Sequence, residues 1–225
     1  MKTRVYIDGF NLYYGLLKGG PHKWLDLERF CDLSFPKNII EKIYYFTAPV
    51  TARPNDPEQP VRQKAYLDAL ATLARVEVHL GTFMSSVVTM VMADCDPVTG
   101  KPVYRNGIAA PKLMPNGKPQ MVPVLKSEEK GSDVNLASYL LRDAFGHMCE
   151  CAIIVSNDSD LLTPIRMAKA TGMVIGLMPP RERGSIDLKR LADFKVSPRQ
   201  SLLTQSALPA KIVTQDREII KPAFW

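Results

Sequence analysis

Residues 152–161 read Ala-Ile-Ile-Val-Ser-Asn-Asp-Ser-Asp-Leu, and the fold class is decided there. Ala152–Ser156 is an apolar, β-branched run that turns polar only at its last residue. A half-exposed strand alternates apolar and polar positions, whereas a strand covered on both faces reads as a continuous apolar run. Two carboxylates, Asp158 and Asp160, follow at once. Asp160–Ala170 then reads as a helix closed by Gly172, with Pro164 in its first turns, where a missing N–H costs least. Met173–Leu177 is the next apolar strand, ended by Pro179-Pro180. Strand, helix, strand in this order is a βαβ unit, and such units build parallel sheets.

The same rhythm extends toward the N-terminus. Ser132–Phe145 is the clearest helix, with Ser132 as the expected N-cap, Asp133 at the positive end of the dipole and Gly146 at the close. Thr3–Asp8, Lys42–Thr47 and Val76–Leu80 read as strands. Asn11–Leu17, Leu25–Leu33 and Val61–Ala74 read as helices, and the four prolines of Ala48–Pro60 mark a loop. The expected core is therefore an α/β domain over residues 1–180. Met84–Pro123 breaks the rhythm with Asp96-Pro97, Thr99-Gly100, Asn106-Gly107 and Asn116-Gly117, which are turn signals. It is expected as a β-hairpin insertion at about 84–123. Residues 181–225 are expected as a basic C-terminal extension, and Ser197–Trp225 shows no convincing period.

Composition narrows the function classes. Of 225 residues, 46% are hydrophobic and 23% charged, which is ordinary globular usage and excludes disordered and fibrous classes. No apolar run reaches the ~18–20 residues of a membrane span. Lys2 and Arg4 could open an export signal, but Asp8 interrupts the apolar stretch that should follow. A cytoplasmic location is expected, with Cys31, Cys95, Cys149 and Cys151 as free thiols. His147-Met148-Cys149-Glu150-Cys151 lacks the paired spacing of a zinc knuckle. The net charge is +6, and residues 101–130 and 181–221 each carry a surplus of +4. Such a distribution suits a phosphate-bearing partner, or equally a solvated surface.

The chemistry-bearing residues are carboxylates. Asp8 ends the first strand and Asp158 follows a late one, and in open α/β sheets the crevice lies beyond the carboxyl ends of the strands. Asp133 shares a helix face with Ala137, Leu140 and Ala144, so it sits at the sheet-facing N-terminal end of its helix. Two such charges ~4 Å apart in an effective dielectric of 20 repel by ~4 kcal/mol. Protons or a hard cation must offset that. No histidine belongs to the set, which favours Mg²⁺ or Mn²⁺ over zinc. Taken singly, each aspartate also suits a cap or a turn.

The residues resemble a known family at three places. Tyr6-Ile7-Asp8-Gly9-Phe10-Asn11-Leu12-Tyr13 resembles the opening motif of the NYN domain, a branch of the PIN-like nucleases. Lys130-Gly131-Ser132-Asp133-Val134 resembles its second motif, and Ser156-Asn157-Asp158-Ser159-Asp160-Leu161 its third. The resemblance covers roughly residues 3–180 and is nearest to bacterial LabA-like members. It implies a three-layer α/β/α PIN-like sandwich with a mainly parallel central sheet, and metal-dependent cleavage of RNA. Carried over by position, Asp8, Asp133, Asp158 and Asp160 are catalytic and metal-holding residues, and Asn11 is the polar residue of the opening motif, expected either to bind substrate by hydrogen-bonding a carboxylate or phosphate oxygen or to cap its helix. Lys126 and Lys130 are expected to reach the phosphate backbone as point charges. Tyr6, Tyr13 and Tyr14 are placed either to stack bases or to fill the core.

The expected activity is an endoribonuclease in which metal-activated water attacks the phosphodiester, leaving 5′-phosphate and 3′-hydroxyl ends. Single-stranded RNA is the expected partner, no membrane is involved, and a homodimer is left open. The rival readings are an RNA-binding or regulatory scaffold with the same pocket and no turnover, and a phosphohydrolase using an aspartate nucleophile.

Overall fold

The structure, a computed structural model, describes every residue except Arg183 and Phe224. It falls into two compact units, Met1–Phe83 with Glu129–Trp225, and Met84–Glu128.

The larger unit is built on six strands: β1 (Lys2–Asp8), β2 (Ile39–Thr47), β3 (Val76–Leu80), β8 (Cys151–Val155), β9 (Val174–Leu177) and β10 (Phe194–Lys195). Their spatial order is β10-β9-β8-β1-β2-β3, and every neighbouring pair is parallel. Period-two alternation then divides the core. Val5 and Ile7 of β1, with Ile153 and Val155 of β8, face a layer that includes Leu27, Phe30 and Leu70. These come from α2 (Leu27–Ser34) and α3 (Gln59–Leu70), which follow the short α1 (Gly9–Leu12) in the chain. Tyr6, Ala152 and Ile154 face the opposite layer, against Leu136, Leu140 and Ile165 of α4 (Ser132–Phe145) and α5 (Leu162–Ala170). The result is a three-layer α/β/α sandwich.

One buried polar cluster fixes α4 on this sheet. The fully buried carboxylate of Asp143 accepts from the Tyr6 hydroxyl at 2.7 Å and pairs with Arg4 at 2.9 Å and Arg142 at 2.7 Å. The helix thereby takes a fixed angle across β1 and β2, with its N-terminus at the carboxyl edge of the sheet. Tyr6 is thus a core residue with its hydroxyl committed, which removes it from the base-stacking candidates.

Two boundaries differ from the sequence reading. Ser132 is the first residue of α4 rather than its cap. Gly131 takes the cap position at φ 102°, while the Ser132 N–H and hydroxyl both donate to Glu129. The segment 181–225, read from sequence as an extension, packs within the larger unit. It supplies β10, α6 (Ile186–Leu191), α7 (Gln200–Gln205) and the small antiparallel pair β11 (Lys211–Val213) and β12 (Glu218–Ile220). Leu188, Leu203, Leu208 and Ile219 are its buried anchors.

The smaller unit is a β excursion. β4 (Thr82–Val91) pairs with β7 (Met121–Lys130), and between them β5 (Tyr104–Arg105) pairs antiparallel with β6 (Ile108–Ala109). Asn106 and Gly107 turn that hairpin at φ 52° and 78°, the positive pair that an Asn-Gly turn supplies. At the base of the excursion, a Cβ on Gly81 would stand 2.6 Å from the Lys130 carbonyl, so outgoing and returning backbones run too close for any other residue.

Candidate metal and nuclease site

The strand order reverses at β1. From it the chain steps outward through β2 and β3, then returns to place β8 on its other side. The crevice of such a sheet opens at this switch point, beyond the carboxyl ends of β1 and β8. Asp8 closes β1, and Ser156-Asn157-Asp158 follows β8, so residues about 150 apart in sequence meet here.

Asp8 is 3% exposed, and its carboxylate is held from three directions. The Asn11 backbone N–H donates to Oδ1 at 2.9 Å, capping α1. The Asn11 side-chain amide and the Ser156 hydroxyl (2.9 Å) donate to Oδ2. A carboxylate offers about four lone-pair directions. Three are taken, and one is left for a ligand. Asn11 also accepts from the Asn157 N–H at 3.2 Å, and the Asp158 N–H donates to Ser156 at 3.0 Å. Asn11 and Ser156 therefore tie the end of β1 to the loop after β8. Asn11 positions the Asp8 carboxylate, and the cap of α1 is Asp8 itself.

Asp133, in the first turn of α4, faces a cleft of about 270 Å³ together with Asp8, Asn11, Glu129, Ser132 and Arg53. Its pKa is pushed up to about 7, first by burial and then by the charges of Asp8, Asp158, Glu129 and Asp160. Burial also raises Asp8, against the three hydrogen bonds that lower it. Asp158 caps a short 3₁₀ turn, Ser159–Leu161, by accepting from the Asp160 N–H at 3.0 Å, and the Asp160 side chain is exposed. Asp8 and Asp133 thus share the cleft wall, Asp158 and Asp160 act on it through their charge, and the four do not form a ready-made cage. Among the described residues no three His, Cys, Asp or Glu side chains stand at metal-holding spacing.

Lys130 ends β7 immediately before the α4 cap. Lys126 belongs to the smaller unit and pairs with Glu128 at 2.5 Å. Sequence reasoning missed Glu129, Ser156 and Arg53. Glu129 was legible as the acidic neighbour of Lys130-Gly131-Ser132-Asp133. Arg53 lies in a proline-rich loop with no pattern to mark it.

The NYN domain model matches residues 2–198, nearly nine-tenths of the chain. The chain belongs to the NYN domain family. The match runs past residue 180 and takes in β10, in agreement with the sheet. A curated relative, 6-hydroxy-3-succinoylpyridine 3-monooxygenase HspA of Pseudomonas putida, is 30% identical, with the alignment spanning 100% of this chain and 75% of the relative. The crystal structure of VPA0982, a protein of unknown function from Vibrio parahaemolyticus, superposes with a TM-score of 0.50 at 16% identity. That superposition covers 88% of this chain and 93% of the other, and supports the fold alone. NYN domains are nuclease-like, and PIN-like nucleases generally use divalent metals. Among the described residues no helix is long and apolar enough to cross a membrane.

Proposed function

We propose that this protein is a Mg²⁺- or Mn²⁺-dependent endoribonuclease acting on single-stranded RNA at the cleft between β1 and α4. The observation that carries the reading is the surplus of negative charge around Asp133, whose carboxyl holds its proton to about pH 7. A cleft that raises its own acid in this way favours a bound cation. The donor set fits a hard divalent ion, which takes one or two carboxylates and completes its shell with water and phosphate oxygen. Asp8, through its one remaining lone-pair direction, and Asp133 would hold it, with Asp158, Asp160 and Glu129 adding charge. When bound, the ion supplies Lewis-acid activation of water and charge neutralisation at the phosphate.

The chain's own groups do the rest. Asn11 and Ser156 lock the Asp8 carboxylate in one orientation, so no side-chain reorganisation is needed at the reaction. Arg53 lines the same cleft without an ion-pair partner among the described residues, and is available to a phosphate. Asp133 would give up its proton on binding the cation, because the ion offsets the neighbouring carboxylate charges that hold the proton in place. Water attacks in line and the 3′ oxygen leaves, giving 5′-phosphate and 3′-hydroxyl ends.

The test is cleavage of an end-labelled single-stranded RNA with Mn²⁺ and with EDTA. Metal-dependent products with 5′-phosphates are expected. Products with 2′,3′-cyclic phosphate, or turnover that survives EDTA, overturn the mechanism. The whole-chain alignment with the Pseudomonas relative favours a second reading, hydroxylation of a hydroxypyridine. That reaction inserts one atom of O₂ and reduces the other to water with two electrons from a reduced nicotinamide or flavin. Oxygen uptake that depends on both 6-hydroxy-3-succinoylpyridine and NADH would select it.

A further inference from the structure

A second cleft adjoins the acidic one. It encloses about 60 Å³, room for several waters. Its floor is aromatic: Tyr45, Tyr66 and Trp225 pack edge-on, Tyr45 to Tyr66 at 6.3 Å and Tyr66 to Trp225 at 5.3 Å. Its wall is Phe10, Tyr13 and Tyr14. Phe10 and Tyr14 line both clefts, and Gly9, which directly follows Asp8, lines this one.

The wall owes its form to a local irregularity. Tyr13–Leu17 is a π-helical turn, in which the Lys18 N–H reaches back five residues to the Tyr13 carbonyl at 2.7 Å. Such single wide turns cost helix regularity and recur at functional sites. Here the turn carries Tyr13 and Tyr14, with the Tyr14 ring nearly parallel to that of Phe10 (21°).

The rim is polar and positive. Gln63 is committed to the loop above it, through Ala48 and Val50. Arg62 spends one nitrogen on Asp56, at 2.5 and 2.6 Å. Lys23 has no ion-pair or hydrogen-bond partner among the described residues. Flat aromatic walls suit a planar ring, and cationic groups at the mouth suit an anion attached to it.

We propose that this cleft binds one planar nitrogen heterocycle carrying an anionic substituent, with the ring against Phe10, Tyr13 and Tyr14 and the anion met by Lys23 and Arg62. Two sources share that chemistry: a nucleotide of an RNA strand and a free heteroaromatic acid. The first rests on the nuclease reading, so the test measures binding without cleavage.

The full chain is titrated in EDTA with adenosine and uridine 5′-monophosphates, and separately with 6-hydroxynicotinate, by calorimetry and tryptophan fluorescence. Of the two tryptophans, Trp24 is buried and Trp225 lines the cleft. Stoichiometric binding is expected, with a quench that Trp225→Phe removes. Tyr13→Leu should weaken it about tenfold, the lower part of what one ring stack contributes. Lys23→Met should weaken the nucleotide and leave the uncharged nucleoside unchanged. This residue has no partner to lose, so the test stands even if Tyr13→Leu misfolds. Binding of nucleotides alone assigns the cleft to RNA, and binding of the acid alone assigns it to a small molecule. No saturation at millimolar ligand of either kind, or affinities indifferent to both substitutions, overturns the proposal.

Discussion

Replacing Asp133 by Asn should flatten the pH dependence of stability in the metal-free protein. Asp133 has a folded pKa of about 7 against an ordinary value of 3.8. Between these values the folded chain keeps a proton that the unfolded chain has lost, so stability falls as pH rises through this window and levels off above it. Three units correspond to ~4 kcal/mol at most. Asp133 is half-buried, and solvent screening reduces that to roughly 2 kcal/mol. For a chain of this size ~2 kcal/mol is about 4–8 °C in Tm. The assay is thermal unfolding in EDTA from pH 4 to 8.5, wild type against Asp133→Asn. The wild type should lose this increment relative to the variant, and Mn²⁺ at pH 8 should restore it. Asp8, also raised, acts in the same direction, and His79, whose pKa burial lowers, acts in the opposite one. Only the difference between the two proteins therefore isolates Asp133. Parallel pH profiles, or a variant that loses more stability than the wild type on going from pH 5 to 8, would refute the electrostatic reading of the cleft.

Other expectations follow from the same structure. Asp8→Asn should lower RNA cleavage at least about 100-fold, as loss of a group holding the transition-state charge does, with little change in melting; wild-type turnover by the purified variant would end the assignment. Asp143→Ala leaves the part-buried Arg4 beside Tyr6 without its counter-ion, and should cost ~2–3 kcal/mol in urea unfolding, less than a fully buried pair would; a loss under ~1 kcal/mol would show the cluster to be dispensable. If the smaller unit contacts RNA, neutralising Lys112 and Lys118 should reduce the salt slope of binding by ~0.7 each. Lys126, already paired with Glu128, should contribute less, and an unchanged slope would leave these lysines as solvated surface.

The parts legible in sequence were those where one physical demand acts alone. β8 is covered on both faces, so nothing polar interrupts Ile153–Val155, and the strand shows itself. Asn106-Gly107 demands positive φ, so the hairpin turn shows itself too. Asp8 and Asp133 stood out because a carboxylate at a strand end and one at a helix N-terminus share an edge of any parallel sheet. What stayed hidden was assembled from distant or ambiguous residues. β10 is two residues long, too short for any period, and is recognised only by its pairing with β9. Ser132 reads as an N-cap until Glu129 is seen to occupy its hydroxyl. The aromatic cleft joins Tyr13, Tyr66 and Trp225, and a lone tyrosine in sequence gives no sign whether it lines a cleft or fills a core, as the buried Tyr6 shows.

The pairing of β1 with β8 closes a chain loop of 148 residues, from Thr3 to Cys151, and the whole smaller unit lies within it. Loop-closure entropy grows only with the logarithm of length. The 45 or so residues of that unit lengthen the loop from about 103, which adds ~0.3 kcal/mol to the cost of closure. Because the Gly81 and Lys130 backbones already run side by side, the excursion leaves and rejoins the sandwich at a single point. By chain entropy, the unit is close to neutral cargo for the fold that carries it. Loop closure therefore puts almost no limit on the length of this unit, since even doubling the closed loop would add only ~0.6 kcal/mol.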